Sequence, residues 1–422
     1  MRIQWGLVLG IAMLTSCVES GVTSRTGADS AGIAGASPIV QVGVDAEDVA
    51  ARAEAALRAG DFEDAEKEAR LGLSARGDHP KLRLVRAITQ YVKTMHQLTL
   101  DGRTLIIGGL EGGFNPKYFT STMRDAESEL GLVEADLAVA AKDHALSMEL
   151  CVACFRLDWD GNGRIDRRDA RLPQIEIDED GQELPEDDPR RTPTFRFDEG
   201  DVAWARAFVS FQRAALDVLL AYDFSQAPNV VRALDHERGT ITIKLTDAAR
   251  IAEARQRILD GLAFSDASRD LYLAETDDDR EWVPNPKQKS HPMPLPVDPA
   301  LYATWAEVVR DVRALVQGEE GLGVADVFKL AEETPGKNGV HGYIDIGEML
   351  SHPKDIVLSL DRLREMDRHG DTDGLLSATF GGYYKASMKA SPLPKTLLRM
   401  KGEIDKGEHE FDRKLRYLFW IN

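Results

Sequence analysis

The chain has 422 residues, with 71 acidic against 52 basic side chains and a formal net charge of −19. A field of that sign repels nucleic acid and anionic lipid and attracts cations, which argues against nucleic-acid binding as a general role. Hydrophobic residues make up 43 % of the chain, enough to bury cores, and the length suggests two or three packed units.

The first residues read as an export signal. Arg2 supplies a positive start, Trp5 to Leu14 form a short apolar core, and Leu14-Thr15-Ser16-Cys17 follows. The apolar run is too short for a permanent transmembrane helix, and no later stretch reaches spanning length. The last four residues resemble a bacterial lipobox, whose cysteine is acylated and becomes the mature N-terminus. The resemblance implies a lipoprotein signal over 1–17, a lipid anchor on Cys17 and an extracytoplasmic address in the cell envelope. Each buried acyl methylene contributes about 0.8 kcal/mol to anchoring. Val18 in place of Asp favours, by resemblance to Gram-negative sorting, the outer membrane and its periplasmic or outer face. Removing 1–16 takes one base (Arg2) and no acid, so the charge goes from −19 to −20.

Residues 18–45 form a tether: Glu19 to Gly43 is rich in Gly, Ser, Ala and Thr, with a random-coil span of about 30 Å. Over 46–95 two helical runs flank Gly60-Asp61-Phe62, with small residues at Ala53, Ala56, Ala65 and Ala69, and the pattern continues from Leu82 to Met95. This helical hairpin resembles one tetratricopeptide repeat; a single repeat cannot bury its faces alone, so packing on the next domain is expected. A helical domain is expected over 96–276. Thr104-Leu105-Ile106-Ile107 reads as a short strand before the glycines of 108–113, and Met123 to Phe155 as one or two helices.

Those helices lead into Asp158-Trp159-Asp160-Gly161-Asn162-Gly163-Arg164-Ile165-Asp166-Arg167-Arg168-Asp169. Oxygen-bearing side chains stand at positions 1, 3, 5, 9 and 12, glycine at 6 and isoleucine at 8. Ca²⁺ takes six to eight oxygens at roughly 2.3–2.6 Å, which a short loop supplies only by curling tightly. Gly163 permits the turn, the Arg164 carbonyl offers the seventh-position oxygen, and Ile165 is expected to pin the loop to an apolar neighbour. With Asp169 at the last position, the loop resembles the dockerin-type subgroup of EF-hand loops. That resemblance implies Asp158, Asp160, Asn162, Arg164 (through its carbonyl), Asp166 and Asp169 as calcium ligands, and an incoming helix. Asp is one methylene shorter than Glu, and Arg156, Arg164, Arg167, Arg168 and Arg171 lower the local negative potential. Affinity is therefore expected in the range of about 10⁻⁴–10⁻³ M, suited to a structural ion.

Cys151 and Cys154 admit three readings: buried thiols, a local disulfide, or a redox or metal pair. The acids between Glu176 and Asp188 read as a solvated loop. Phe197 to Tyr222 reads as a central buried helix, Thr240 to Leu245 as a strand, and Thr246-Asp247 as the cap of a helix to about Leu262. A Pro-rich linker is expected over 277–297, then a mainly helical region over 298–422 whose apolar end, Tyr417 to Ile421, docks on a core. After an amphipathic helix at Ile356 to Met366, His369 to Phe380 copies nine loop positions but lacks the first and last carboxylates. Tyr343-Ile344-Asp345 with Glu348 copies half a loop.

The fold expected is mainly α: a multi-helix array with a hairpin near the N-terminus, an EF-hand-like loop and a minor β element. The function expected is that of a calcium-binding, lipid-anchored envelope protein whose helical surfaces meet a protein partner. Two alternatives stand beside it. One is an extracytoplasmic enzyme with a site in the C-terminal region, where His291, His341, His352 and His369 lie; no G-x-S-x-G, H-E-x-x-H, P-loop or G-x-G-x-x-G supports it. The other is a dockerin-like recognition module, weakened by the presence of one good loop where dockerins carry two.

Overall fold

Helices begin where a side-chain oxygen meets an open N–H. Asp45 accepts from Glu47 N at 3.0 Å and starts α1 (Ala46–Arg58); Asp61 accepts from Asp64 N at 3.1 Å and starts α2 (Phe62–Ala75). The computed structural model describes residues 45–110, 115–159, 161–171, 174–178, 182–226, 239–291, 298–330 and 340–404. The signal segment, nearly all of the tether, Asp160 and the Tyr417 to Ile421 end lie outside them.

Ala53, Ala65 and Ala69 are buried where α1 and α2 cross, the close approach that small residues allow. Between the helices Gly60 adopts φ +78°, and a Cβ there would stand 2.1 Å from the Cys154 carbonyl oxygen. The hairpin packs on α3 (Pro80–Leu110), which is 31 residues long and runs through Thr104 to Ile107. The strand expected there does not form. Thr99 and Thr104 hydroxyls donate to the carbonyls of Met95 and Leu100, at 2.9 and 3.0 Å, so the hydroxyls are satisfied within the helix.

Asn115 caps α4 (Pro116–Ala140), which lies along α3. Asp136 is buried in that seam and held by Arg83 at 2.7 Å and by both Arg86 contacts at 2.5 Å. The helical reading of Met123 to Phe155 is corrected beyond Ala140. Residues Met148–Leu150 form β1, antiparallel to β2 (Phe195–Phe197) with Met148 opposite Phe197 and Leu150 opposite Phe195. Their period-2 alternation turns Met148, Leu150 and Phe195 into the main core.

Between these strands lie the candidate loop and the five-residue α5 (Arg167–Arg171). The predicted central helix is α6 (Glu199–Leu220), and it packs most extensively on α7 (Ala248–Ala274), which Asp247 caps as expected but which runs twelve residues past Leu262. A charged seam joins α4, α6 and α7. Arg213 pairs with Glu127 at 2.5 Å and with Glu134, while Arg250 and Arg257 reach the fully buried Asp217 at 2.7 and 2.8 Å.

Beyond α6 the chain enters β3 (Tyr222–Asp223), and β4 (Thr240–Leu245) confirms the alternating strand reading. After α8 (Pro299–Gln317) come β5 (Leu322–Gly323), α9 (Val324–Leu330), β6 (Tyr343–Ile344), α10 (Ile346–Ser351) and β7 (Ile356–Ser359). Then follow α11 (Leu360–His369), α12 (Thr372–Phe380), β8 (Tyr384–Lys385) and α13 (Leu393–Ile404). Two small sheets result, in orders β3-β4-β7 and β5-β6-β8, with antiparallel pairs throughout. Val324, Val340 and Ile344 form a second, smaller core. The fold is mainly helical with minor antiparallel β structure.

The C-terminal expectation of a helix from Ile356 changes in part. Ile356 to Ser359 is strand, because it pairs with β4 from Thr240 to Ile243; only the following residues are helical. His369 to Phe380 is no loop: Asp371 accepts from Gly374 N at 2.9 Å and caps α12. The described part of the 277–297 stretch is a packed strap. Trp282 is buried with its ring centroid 4.4 Å from that of Phe195, and the Tyr302 hydroxyl donates to Pro284 O at 3.0 Å.

Gly60→Ala is expected to lower unfolding stability in urea by more than the roughly 1–2 kcal/mol that the left-handed backbone alone costs, because the new methyl meets the Cys154 carbonyl. A change within about 0.5 kcal/mol would contradict this packing.

Candidate functional site

The loop at 158–169 is curled by its own carboxylates. Asp158 Oδ1 accepts from Asn162 N at 3.0 Å and Oδ2 from Gly163 N at 2.6 Å, while Gly161 N donates to Asp158 O at 3.2 Å. Gly161 and Gly163 take φ +66° and +82°, a left-handed backbone that glycine enters without Cβ strain. Asn162 Oδ1 accepts from Arg164 N, Asp166 Oδ1 from Arg168 N, and Asp169 Oδ2 from Asp166 N at 3.0 Å. Asp169 is 1 % exposed, so the shorter twelfth-position acid is drawn inward.

The loop rests on α3. His96 Nε2 lies 2.6 Å from Asp158 O; a carbonyl only accepts, so Nε2 carries the hydrogen. The rings of His96 and Trp159 meet edge to face at 5.6 Å, and Leu100 lies against Gly161. Ile165, expected to pin the loop, is instead 55 % exposed; Trp159 and Leu100 take that role. The flanks also differ from expectation. A strand and the 3₁₀ turn Val152–Cys154 lead in, where a helix was expected, because the β1–β2 pairing claims Met148 to Leu150. The carboxylates of Asp158, Asp166 and Asp169 do not all lie within 4.8 Å of one another. Cys151 and Cys154 form a disulfide with a Cα–Cα distance of 5.2 Å, which rules out a pair of free thiols.

A second group of acids escaped the sequence reading. Oxygens of Asp198, Glu275 and Glu281 lie within 4.8 Å of one another, and this is the convergence of metal-binding side chains found among the described residues. Asp198 caps α6 and accepts from Gly200 N at 2.9 Å; Asp201 returns the bond to Asp198 N, completing a capping box. Glu275 ends α7, and Glu281 sits in the strap, 2 % exposed, beside Arg196. Tyr272 OH donates to Asp201 Oδ1 at 2.8 Å, and Gln288 Nε2 donates to Glu275 Oε2 at 3.2 Å. Arg196, the nearest cation in the group, is engaged by Asp277.

Burial of charge without a matching cation decides the protonation here. Burial pushes the Glu275 carboxyl up to about 8 and that of Glu281 up to about 7, with the Asp198 charge adding to each. Asp201 goes well above the ordinary carboxylate range for the same two reasons, and burial raises Asp198 despite its backbone donors. The cluster therefore takes up protons, or a cation in their place. Only its capping box was readable in sequence; Glu275 and Glu281 stand among acids that look like a solvated run.

Among the described residues, His291, His341, His352 and His369 belong to no group of converging metal-binding side chains. His352 pairs with Glu348, and the His341 backbone donates to Asp373. The chain matches no protein-family model, no curated protein and no solved structure. Functional assignment therefore rests on these residues.

Raised carboxyl values make stability depend on pH in a fixed direction. The stabilisation from protonating Glu275 and Glu281 is complete below their ordinary value of 4.5 and is lost as pH rises through about 7 and about 8. Thermal melts are expected to show stability falling from pH 5 to pH 9, with Glu281→Gln gaining about 1–3 kcal/mol over wild type at pH 8. A variant whose melting profile parallels wild type across that range would refute the assignment.

Proposed function

We propose that the chain is a calcium-binding, lipid-anchored cell-envelope protein in which Ca²⁺ fixes the 158–169 loop and the helical surfaces meet a protein partner. The observation that carries the reading is the loop's own hydrogen bonding. The first-position carboxylate holds the N–H groups of positions 5 and 6, and the twelfth holds that of position 9. This arrangement winds the backbone around the space that a cation would fill. Ligands would come from Asp158, Asp160, Asn162, the Arg164 carbonyl, Asp166 and Asp169, with side chains turning inward when the ion arrives. The ion would brace a segment tied to α3 through His96 and Trp159.

The envelope address rests on the lipobox-like Leu14 to Cys17, and the extracytoplasmic setting accords with the Cys151–Cys154 disulfide. A second locus for a cation is the set of Asp198, Glu275 and Glu281, favoured by the closeness of its three oxygens.

Calcium at ten times its dissociation constant is expected to stabilise the protein by about 1.4 kcal/mol, read as a rise in melting temperature. Asp158→Ala combined with Asp160→Ala is expected to abolish that rise. Identical melting curves with and without millimolar Ca²⁺ would refute the calcium reading. Its loss in Glu275→Gln, with the loop variant unaffected, would move the ion to the second locus.

A further inference from the structure

We propose that Cys151–Cys154 is a reversible thiol–disulfide exchange site, entered by an incoming thiolate at Cys154 Sγ. The two cysteines differ in exposure. Cys151 is 2 % exposed, whereas Cys154 is half-buried, so attack is directed to one end of the bond. The ring spans only two intervening residues, and the chain entropy removed by a crosslink grows with the logarithm of loop length, so this one contributes about 2 kcal/mol, less than a longer ring would.

The turn is built to survive opening. Cys154 N donates to Cys151 O at 3.0 Å and Phe155 N to Val152 O at 3.1 Å, while the Phe155 ring packs edge-on against Phe62 at 4.7 Å. None of these contacts needs the S–S bond. The reduced state also has a partner in place. Cys151 Sγ lies 3.8 Å from Thr192 O, a contact that becomes a hydrogen bond only when the sulfur carries a proton. Close by, Gly60, whose backbone lies against the Cys154 carbonyl, lines an open cavity of about 590 Å³ together with Phe62, Lys93 and Arg156.

In the exchange, the incoming thiolate bonds to Cys154 Sγ as the S–S bond breaks. Cys151 leaves as a thiolate, takes a proton from water, and its S–H donates to Thr192 O. A second thiolate then attacks the sulfur of the bound thiol, releasing Cys154 as a thiolate that water protonates. Two thiols are oxidised to one disulfide, and the protein gains two electrons and two protons. The thiol is either a low-molecular-weight one or a cysteine side chain in an extended peptide.

The test incubates the native protein with millimolar reduced glutathione, or with an unstructured peptide containing one cysteine, followed by acid quenching and mass spectrometry. Opening of the disulfide while the circular-dichroism spectrum stays native is expected; the arm that reacts identifies the source of thiol. With oxidised glutathione, Cys151→Ser is expected to form one mixed disulfide at Cys154 at least tenfold faster than Cys154→Ser forms one at Cys151. A disulfide that opens in neither arm until the protein unfolds would overturn the proposal. Faster labelling of Cys151 would overturn the assignment of the entry sulfur. If a single-cysteine variant does not fold, the wild-type arms decide.

Discussion

The main helix seams of this protein have to accommodate carboxylates withdrawn from water. In a chain with 71 acids and 52 bases, burying an unpaired carboxylate costs more than most contacts return. Where arginine is at hand it settles the matter: Arg83 and Arg86 on Asp136 join α3 to α4, and Arg250 and Arg257 on Asp217 join α7 to α6. Remove one of these acids and the arginines left behind, themselves partly exposed, lose the charge that draws them into the seam.

Elsewhere other groups hold the carboxylates, and both candidate sites arise in this way. At the loop, backbone N–H groups satisfy Asp158 and Asp169, and the segment curls as a result. At the foot of α6, the acids Asp198, Asp201, Glu275 and Glu281 exceed the free cations, so burial raises their proton affinity. One site is a curled loop with its ligands dispersed; the other is a gathered set in which burial raises the proton affinity of each ligand. A cation would change each in a different manner, gathering the first and deprotonating the second.

Sequence reading succeeded where the signal is local. Asp247 announces a helix through its own backbone neighbours, Thr240 to Leu245 alternates, and Gly163 marks the turn of the loop. It failed where distant partners decide. Thr104 to Ile107 has strand composition, yet the hydroxyl of Thr104 finds its acceptor within the helix. Ile356 to Ser359 reads as helical until β4 pairs with it. Glu275 and Glu281 join Asp198 across more than seventy residues, a convergence no spacing rule encodes. Ile165 occupies the position that usually pins such a loop, but it is exposed and Trp159 packs on α3 in its place.

Terbium luminescence separates the two loci most directly, because each has its own tryptophan: Trp159 within the loop and Trp282 next to Glu281. Terbium takes the oxygen ligands of calcium, and its emission is sensitised by a nearby indole. If the loop holds the ion, emission titrates to a single site, is displaced by Ca²⁺, and disappears in Trp159→Phe while persisting in Trp282→Phe. Emission that survives Trp159→Phe and vanishes in Trp282→Phe would contradict the assignment of calcium to residues 158–169.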